Sequence, residues 1–338
     1  MSIKPVKRFL YRTSVIACVM LCFCPLHSVG QDAVSSQFMF DALSVNPGLA
    51  GINDYTKVTA GFRDQWLMLD HAYVTYFASY DQKIKPLNSG VGLQVYRDVA
   101  GGVYSRTSAE LYYNYQFQLT KDILISPGLQ MAVVQRAMNA AGLTLFDQNP
   151  YTGTGGASAE TLTDRSSVFP DFGFGVVANY SDRYSLGIAA HHLTGVSETL
   201  SEVNAKRTPM NLSAHFISYF PLHFGKFGSR QFIFSPGLYF RQQQYQNLFS
   251  VGTNIAYDPV FVGFWLRTAS GFEPESTIFM IGLEQINYRI VYNYDYKTAH
   301  AKGEFPGTGA HEITLALKIF PKKKLRTIKC SKYSLKKD

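Results

Sequence analysis

The sequence predicts an all-β protein, a transmembrane antiparallel β-barrel of about 14 strands with both termini in the periplasm. The clearest observation is the stretch from Tyr288 to Tyr296, where apolar and polar side chains alternate and Arg289, Asn293 and Asp295 share one face. A period of two is typical of a β-strand with one apolar and one polar side. The same period returns about every 10 to 25 residues, and short and long connections alternate between the repeats, as they do in outer-membrane barrels.

Residues 1–30 are predicted to be a signal peptide and are set aside from the fold. Basic residues precede an apolar run at 15–24, and Ser28-Val29-Gly30 supplies the small residues that a signal peptidase recognises, so the mature chain is expected to start at Gln31. The run is far shorter than the ~20 residues of a spanning helix. A lipoprotein signal ending at Cys18 ranks below ordinary cleavage, because it leaves an apolar stub on the mature end. No later segment is apolar enough for a transmembrane helix.

Residues 31–54 lack strand periodicity and are predicted to form an N-terminal periplasmic or plug segment, here called the N-terminal segment. The barrel is predicted to occupy 55–320, and a basic periplasmic tail 321–338. Period-two alternation predicts strands at 55–65, 71–83, 89–97, 103–119, 122–135, 169–180, 183–193, 208–220, 230–242, 245–257, 259–270, 276–284, 287–297 and 310–320.

The connections sort by parity. Those after even-numbered strands are short, apart from 221–229, whereas every long one follows an odd-numbered strand, at 137–168, 194–207 and 298–309. Outer-membrane barrels have tight periplasmic turns and longer outer loops. The order therefore predicts a periplasmic start, and an even strand count returns the C-terminus to the same side.

Charge and cysteine content exclude several classes of protein. The formal charge of +8 divides into +4 in 1–30, +7 in 321–338 and therefore −3 in the rest (8 − 4 − 7), so a nucleic-acid-binding surface on the domain is not expected. The mature chain keeps only Cys330, which excludes an internal disulfide and a cysteine metal site.

Side chains fill the interior of an eight-stranded barrel, whereas a barrel of about 14 strands encloses a wider lumen. The N-terminal segment or the glycine-rich loop 151–156 could plug this lumen. Pro127 and Pro236 occupy matching Ser-Pro-Gly-Leu sequences, where proline predicts a bulge or kink; a repeated turn chemistry is the equally weighted alternative. Gly173 and Gly175 predict close backbone approach or bending.

The sequence predicts no catalytic, cofactor-binding or metal site. His191 and His192 are adjacent, and neighbouring strand residues point to opposite faces, so one metal could not easily use both. The loop 151–156 has no Gly-Lys-Ser/Thr sequence after it and is not a phosphate-binding loop. A Ser–His lipid hydrolase remains an open alternative without a supporting motif.

The tail is the one dense charge feature. A flexible, solvated end and a docking site for an acidic periplasmic partner are weighed about evenly, with anionic lipid head groups as a further possibility. The candidate docking residues are Lys322, Lys323, Lys324, Arg326 and Lys329.

Three blocks near the mature N-terminus, Ser36-Gln37-Phe38-Met39-Phe40, Asn46-Pro47-Gly48-Leu49-Ala50-Gly51 and Phe62-Arg63-Asp64-Gln65-Trp66, resemble the opening of the PorP/SprF family. These are outer-membrane proteins of the type IX secretion and gliding system of Bacteroidota. The terminal strand with its Lys-rich tail and lone cysteine is also similar to the family's end. The residues that carry the family motif are Gln37, Phe38, Met39, Phe40, Asn46, Pro47, Gly51, Arg63, Gln65 and Trp66.

The resemblance implies a non-enzymatic outer-membrane barrel that helps secrete or anchor cell-surface cargo. It implies as partners type IX secretion components, a periplasmic lipoprotein or peptidoglycan-binding protein, an exported adhesin or other cargo, and outer-membrane lipid; no cofactor and no nucleic acid are expected. The alternative function is a diffusion or hydrophobic-solute transport barrel, which needs an open lumen or lateral gate. A lipid-modifying barrel enzyme is a third, weaker hypothesis.

Overall fold

A computed structural model describes the chain at residues 35–67, 73–140, 143, 145–148, 163–195, 207–222, 232–270, 273–298 and 309–321. The signal peptide, the glycine-rich loop and the basic tail beyond residue 321 lie outside the described residues. Within the described part of the chain, no helix is long and apolar enough to cross a membrane.

Fourteen long strands form one antiparallel sheet that closes on itself. Two further short strands, Phe117–Gln118 and Phe220–Leu222, continue β4 and β8. The long strands are β1 Thr56–Gln65, β2 Tyr73–Ile84, β3 Ser89–Ala100, β4 Tyr104–Tyr115, β5 Ile123–Met138, β6 Arg165–Tyr180, β7 Tyr184–His191, β8 Asn211–Ser218, β9 Phe232–Gln243, β10 Gln246–Tyr257, β11 Val260–Thr268, β12 Pro274–Glu284, β13 Tyr288–Lys297 and β14 Ala310–Ile319.

Each strand pairs with its neighbours in sequence, and the ring closes where β1 pairs with β14 from Thr56 opposite Ile319 to Gln65 opposite Ala310. Closure leaves no strand edge exposed to lipid, which a membrane-spanning sheet requires. The predicted barrel of about 14 strands is confirmed. The largest difference is in β6, which begins at Arg165 instead of 169, because β5 and β6 stay paired out to Met138 and Arg165.

Alternation along the strands separates an outer apolar face from an inner face. In β13, Tyr292 is 41% exposed on the outside, while Val291 and Asn293 on either side of it are buried at 1% and 0%. β4 shows the same pattern, with Leu111 and Tyr113 outside and Asn114 inside. The side chains that face outward are therefore the ones available to lipid.

The two ends of the barrel differ. One end, here called the turn end, carries the connections that follow even-numbered strands. Examples are Lys85–Leu87 with Asn88 after β2, and Asp258-Pro259 after β10. At the opposite end, the loop end, odd-numbered strands are joined by connections that include 139–164, 192–210 and 298–309. β1 starts and β14 stops at the turn end.

Pro127 and Pro236 interrupt a strand pair without producing a bulge. Beside each proline, the pairing with one neighbouring strand stops briefly and then resumes in the same register. Around Pro127 the pairs on either side of the gap are Asn114–Gly128 and Phe117–Ile125. Around Pro236 they are Ile217–Gly237 and Phe220–Phe234. Proline has no N–H to donate, so only the local hydrogen bonds are lost. The unchanged register shows that the predicted bulge is wrong at both positions, and the kink given beside it stays a prediction.

Candidate functional site: the lumen and the N-terminal segment

The described part of the N-terminal segment, residues 35–54, contacts inner side chains all around the ring. Near its start, the Ser36 N–H donates to Glu312 of β14. In its middle, the Asn46 side chain donates to the Val176 carbonyl of β6, and near its end Asn114 of β4 donates to the segment's backbone. A segment that contacts strands on opposite sides of a closed ring lies inside it. The first two motif blocks, which this segment carries, therefore lie in the lumen.

A charge cluster near the loop end holds the start of the segment. Arg63 of β1 donates to Glu312 at 2.9 Å and to Asp295 of β13 at 3.0 Å. Arg267 of β11 lies 3.4 Å from Asp295. The Ser36 hydroxyl accepts from Arg63 at 2.9 Å and from Arg267 at 3.0 Å, and it donates to Asp295. Two cations and two carboxylates thus neutralise one another around one hydroxyl, which a buried charge cluster requires.

The neighbouring residues strengthen this attachment. The Ser35 hydroxyl donates to Glu312 Oε1 at 2.6 Å. Gln37 Nε2 donates to the Glu312 carbonyl oxygen at 3.1 Å and to the side chain of Asn293. Every polar residue of the Ser35-Ser36-Gln37 sequence therefore has its side chain bonded to the barrel or to the cluster.

Aromatic residues of the first motif block pack on the inner wall beside the charge cluster, on β9 and β11. Phe38 stacks on Tyr239 of β9 at 4.5 Å between ring centroids and meets Trp265 of β11 edge-on at 5.0 Å. Phe40 lies 5.6 Å from Phe261, near the turn end of β11. These rings belong to one buried apolar cluster, which the segment completes. Aromatic pairs of this geometry stabilise by about 0.5–1.5 kcal/mol beyond the burial of area.

Asn46 ties the second motif block to β6 and β7. Its Nδ2 donates to the carbonyl oxygens of Val176 at 3.2 Å and Ile188 at 3.0 Å, and its Oδ1 accepts from the Gly48 N–H at 2.8 Å. A Cβ on Gly175 would lie 2.3 Å from Asn46 Oδ1, so the absence of a side chain at 175 admits the segment. The close approach predicted for Gly175 is confirmed.

The last residues of the second block are held near the turn end. Asn114 Nδ2 donates to the Ala50 carbonyl at 2.6 Å, and Gln116 Nε2 donates to the Gly51 carbonyl at 3.0 Å. Gly51 has φ +54°, and a Cβ there would lie 2.3 Å from the Gln82 carbonyl oxygen of β2. Glycine at 51 is explained by both the left-handed backbone and the lack of space.

Asp41 is a buried carboxyl in the middle of the segment. Its oxygens accept from Ser44 Oγ at 2.6 Å and from Gln94 Nε2 of β3 at 2.9 Å. Burial raises the pKa of Asp41 to about 6, although these two hydrogen bonds oppose the shift. The negative charges of Glu110 and Glu312 raise it further.

The two adjacent histidines both point inward, which corrects the expectation of opposite faces. His191 ends β7 and its Nδ1 lies 2.6 Å from Gln130 Oε1. His192 has φ +60°, which turns its ring to the same side, where Nδ1 lies 2.6 Å from Asp171 Oδ2. Among the described residues, no three His, Cys, Asp or Glu side chains are placed to hold a metal ion.

The last two motif residues, Gln65 and Trp66, lie at the loop-end rim. Gln65 is the last residue of β1, and Trp66 follows it with φ +66°. The Trp66 N–H donates to the Gly309 carbonyl at 2.9 Å, and its ring meets Tyr73 edge-on at 5.1 Å. These contacts join three barrel strands to one another. The candidate docking residues of the tail, Lys322, Lys323, Lys324, Arg326 and Lys329, lie outside the described residues.

The sequence did not predict that charged residues of the barrel strands meet in the charge cluster around Ser36. Asp295 was placed correctly on the polar face of its strand, but its pairing with Arg267 was not predicted. The available signal was weak: charged residues on the polar faces of β11, β13 and β14, each within three residues of the loop end.

Comparison with known proteins decides the family. The model of the family described as "Type IX secretion system membrane protein PorP/SprF" matches residues 28–317. The chain belongs to the PorP/SprF family. The three motif blocks near the mature N-terminus that suggested the resemblance lie within this match, and the barrel lies in the outer membrane.

Three of the solved structures that are similar to this chain have low sequence identity to it. The Ralstonia pickettii toluene transporter TbuX is 8% identical, with a TM-score of 0.47 over 83% of this chain and 94% of that chain. The Pseudomonas putida toluene transporter TodX is 10% identical, with a TM-score of 0.46 over 83% and 94%. A Pseudomonas aeruginosa FadL homologue is 12% identical, with a TM-score of 0.42 over 81% and 92%. A comparison with curated protein sequences finds no significant match.

Proposed function

We propose that this PorP/SprF protein is a non-enzymatic barrel of the type IX secretion and gliding machinery that helps secrete or anchor cell-surface cargo. The observation that carries the proposal, beside the family, is the N-terminal segment held inside the lumen. The N-terminal segment bonds to strands all around the ring and buries Phe38, Leu43 and Val45 inside it. A segment held in the lumen by these contacts obstructs the path of a solute and leaves the two ends of the barrel as surfaces for protein contacts. This supports a scaffold for cargo and machinery over a solute channel.

The loop end is the surface that we propose contacts exported cargo. Long connections such as 139–164 and 298–309 are where binding residues concentrate on a rigid scaffold. The test is a gene deletion complemented with the wild type or with loop-exchange variants, followed by proteomics of the cell surface and the medium. We expect the deletion to remove particular exported proteins from the surface, and exchange of 298–309 to reproduce that loss. Surface retention unchanged by deletion would overturn the proposal.

The basic tail is proposed to dock a periplasmic lipoprotein or peptidoglycan-binding component. A cluster of like charges attracts an acidic surface through interactions that salt screens over about 10 Å at 0.1 M. The test compares affinity purification of the wild type with a variant in which Lys322, Lys323 and Lys324 are Gln, and with a matched variant in which they are Arg. Docking by charge predicts that Gln loses the periplasmic partner and Arg keeps it. Equal recovery in all three would contradict docking by the tail.

The filled lumen is tested in a planar bilayer and in proteoliposomes. The wild type is expected to show no stable conductance, whereas a variant lacking 35–54 is expected to conduct if its barrel still forms. Far-ultraviolet circular dichroism and heat-dependent gel mobility confirm the barrel in both proteins. High unselective conductance of the wild type, or uptake of small hydrophobic solutes by it, would support the transport alternative.

A further inference from the structure

Neighbouring residues of the N-terminal segment meet the barrel wall in different ways. Phe38 packs on aromatic rings of β9 and β11, whereas the fully buried Gln37 faces β13 and β14. Gln37 Nε2 donates to the Glu312 carbonyl oxygen at 3.1 Å and to Asn293 Oδ1. These bonds fix both amides, because only an NH₂ group can donate to a carbonyl oxygen. The other atoms of the two amides, Gln37 Oε1 and Asn293 Nδ2, then have no hydrogen-bond partner among the described residues.

Three more buried oxygens on this wall lack a hydrogen-bond partner in the described part of the chain. They are Asp295 Oδ1, Thr314 Oγ1 and Thr59 Oγ1, and the three residues are 4%, 1% and 1% exposed. Asp295 and Asn293 are successive inner residues of β13. Thr314 of β14 lies one strand and two residues nearer the turn end than Asn293, and Thr59 of β1 lies the same step beyond Thr314. The atoms therefore follow a diagonal line from the charge cluster toward the turn end.

The chemistry of these atoms limits what can bind along the line. Asp295 Oδ1 and Gln37 Oε1 only accept, Asn293 Nδ2 only donates, and the threonine hydroxyls do either, so the ligand must both donate and accept. An ion is disfavoured, because the two arginines and two carboxylates of the charge cluster already neutralise one another. Diagonal neighbours on one face of a sheet are about 7–8 Å apart, a distance suited to a small bridging molecule.

We propose that water molecules bind at these five atoms, between the N-terminal segment and the wall formed by β13, β14 and β1. Buried water typically makes about three hydrogen bonds to polar groups that have no other partner. One molecule bridges Gln37 Oε1 and Asn293 Nδ2, and others hold Asp295 Oδ1 and the hydroxyls of Thr314 and Thr59. The bound water completes the attachment of the segment on this side of the lumen, and it does so whether or not the barrel serves secretion.

The first test replaces each threonine by valine, which has nearly the same shape without the hydroxyl. Thr314→Val and Thr59→Val are compared with Thr75→Val, an inner residue of β2 whose hydroxyl donates to Asp98 at 2.6 Å. The urea midpoint of the mature barrel is measured in detergent micelles. A hydroxyl bonded to water loses that hydrogen bond on replacement, so Thr314→Val and Thr59→Val should lower the midpoint, as Thr75→Val does.

An unchanged or raised midpoint in either variant would overturn the proposal. A hydroxyl that is buried without any hydrogen bond is unfavourable, and valine removes it, so a dry site predicts a stabilised variant. The sign of the shift therefore separates a hydrated site from a dry one. Thr75→Val shows the size of the shift when a hydrogen bond between two side chains is lost.

A crystal structure of the wild-type protein supplies the direct measurement. We expect density for a water oxygen about 2.7–3.2 Å from both Gln37 Oε1 and Asn293 Nδ2. Well-ordered amides with no density between them, or density for an ion at that place, would overturn the proposal. The secretion role is tested separately by the deletion strain, so each failure is recognised on its own.

Discussion

Replacement of Arg63 by Met tests the charge cluster that holds the start of the N-terminal segment. Arg63 donates hydrogen bonds to Glu312, Asp295 and the Ser36 hydroxyl at 2.9, 3.0 and 2.9 Å. Removal of one partner from a buried ion pair costs about 3–5 kcal/mol, because the other charge stays buried. Asp295 keeps Arg267 at 3.4 Å and Glu312 keeps the Ser36 N–H at 3.0 Å. We therefore expect R63M to lower the free energy of unfolding by about 3 kcal/mol.

The net charge of the cluster supplies a second, sharper expectation. R63M leaves one cation against two carboxylates, and E312Q in the same chain restores neutrality. The double variant should therefore be at least about 1 kcal/mol more stable than the sum of the two single effects. The exposed Arg97→Met on the outer face of β3 is the matched control, and a surface change of this kind is expected to stay within about 0.5 kcal/mol of the wild type.

Tryptophan fluorescence measures these effects at the right place. Trp265 is fully buried against Phe38, and Trp66→Phe removes the only other tryptophan. Urea titration in detergent micelles then reports both unfolding and withdrawal of the segment, which would expose Trp265 to water. The reasoning is refuted if R63M costs less than about 1 kcal/mol, or if R63M and E312Q are additive within about 0.5 kcal/mol.

Three further changes are read with the same Trp265 signal. Asn46→Ala removes three hydrogen bonds that bind the segment to β6, to β7 and to itself, and we expect a loss of about 2–4 kcal/mol; a loss below that of one such bond would contradict the role of Asn46. Gly90→Ala places a Cβ 1.9 Å from a backbone carbonyl of the segment, whereas Gly92→Ala meets the end of a leucine at 3.1 Å, so only Gly90→Ala should displace the segment; equal effects would refute the steric argument. The pKa of Asp41 is raised from 3.8 to about 6 in the folded protein, so its carboxyl contributes on the order of 3 kcal/mol to stability below pH 3.8, and this contribution is lost as the pH rises through 6. Asp41→Asn should remove this contribution to the pH dependence of stability. An unchanged dependence of stability on pH would contradict the role of Asp41.

Sequence alone predicted the barrel because strand alternation is a local pattern. β13 is the clearest case: its face is set by which side chains tolerate lipid, and neighbouring strands repeat the rule. The extension of β5 and β6 to Met138 and Arg165 was missed because the outer residues there become polar above the apolar band. The pattern weakens there although the hydrogen-bond ladder continues.

The site was predicted only in part, because its contacts join distant positions in the chain. Gln37 and Asn46 were recognised through the family motif, but their partners Asn293 and Val176 are 256 and 130 residues away. Pairing at such distances depends on register and closure of the ring, which no local pattern records. His192 was misplaced for a different reason, since its left-handed backbone lies outside the strand geometry that the alternation assumes.

The filled lumen also bears on how the segment is ordered. Within residues 35–54, its regular structure is limited to one helical turn, Ala42–Val45, and a 3₁₀ turn, Pro47–Leu49, so the segment satisfies only part of its backbone hydrogen bonds by itself. Barrel side chains accept that role: Asn114 and Ser213 donate to carbonyl oxygens of the segment at 2.6 and 3.0 Å. Buried backbone groups left without such partners are costly. The barrel therefore stabilises the ordered segment, and a partner that withdrew it would have to replace these hydrogen bonds.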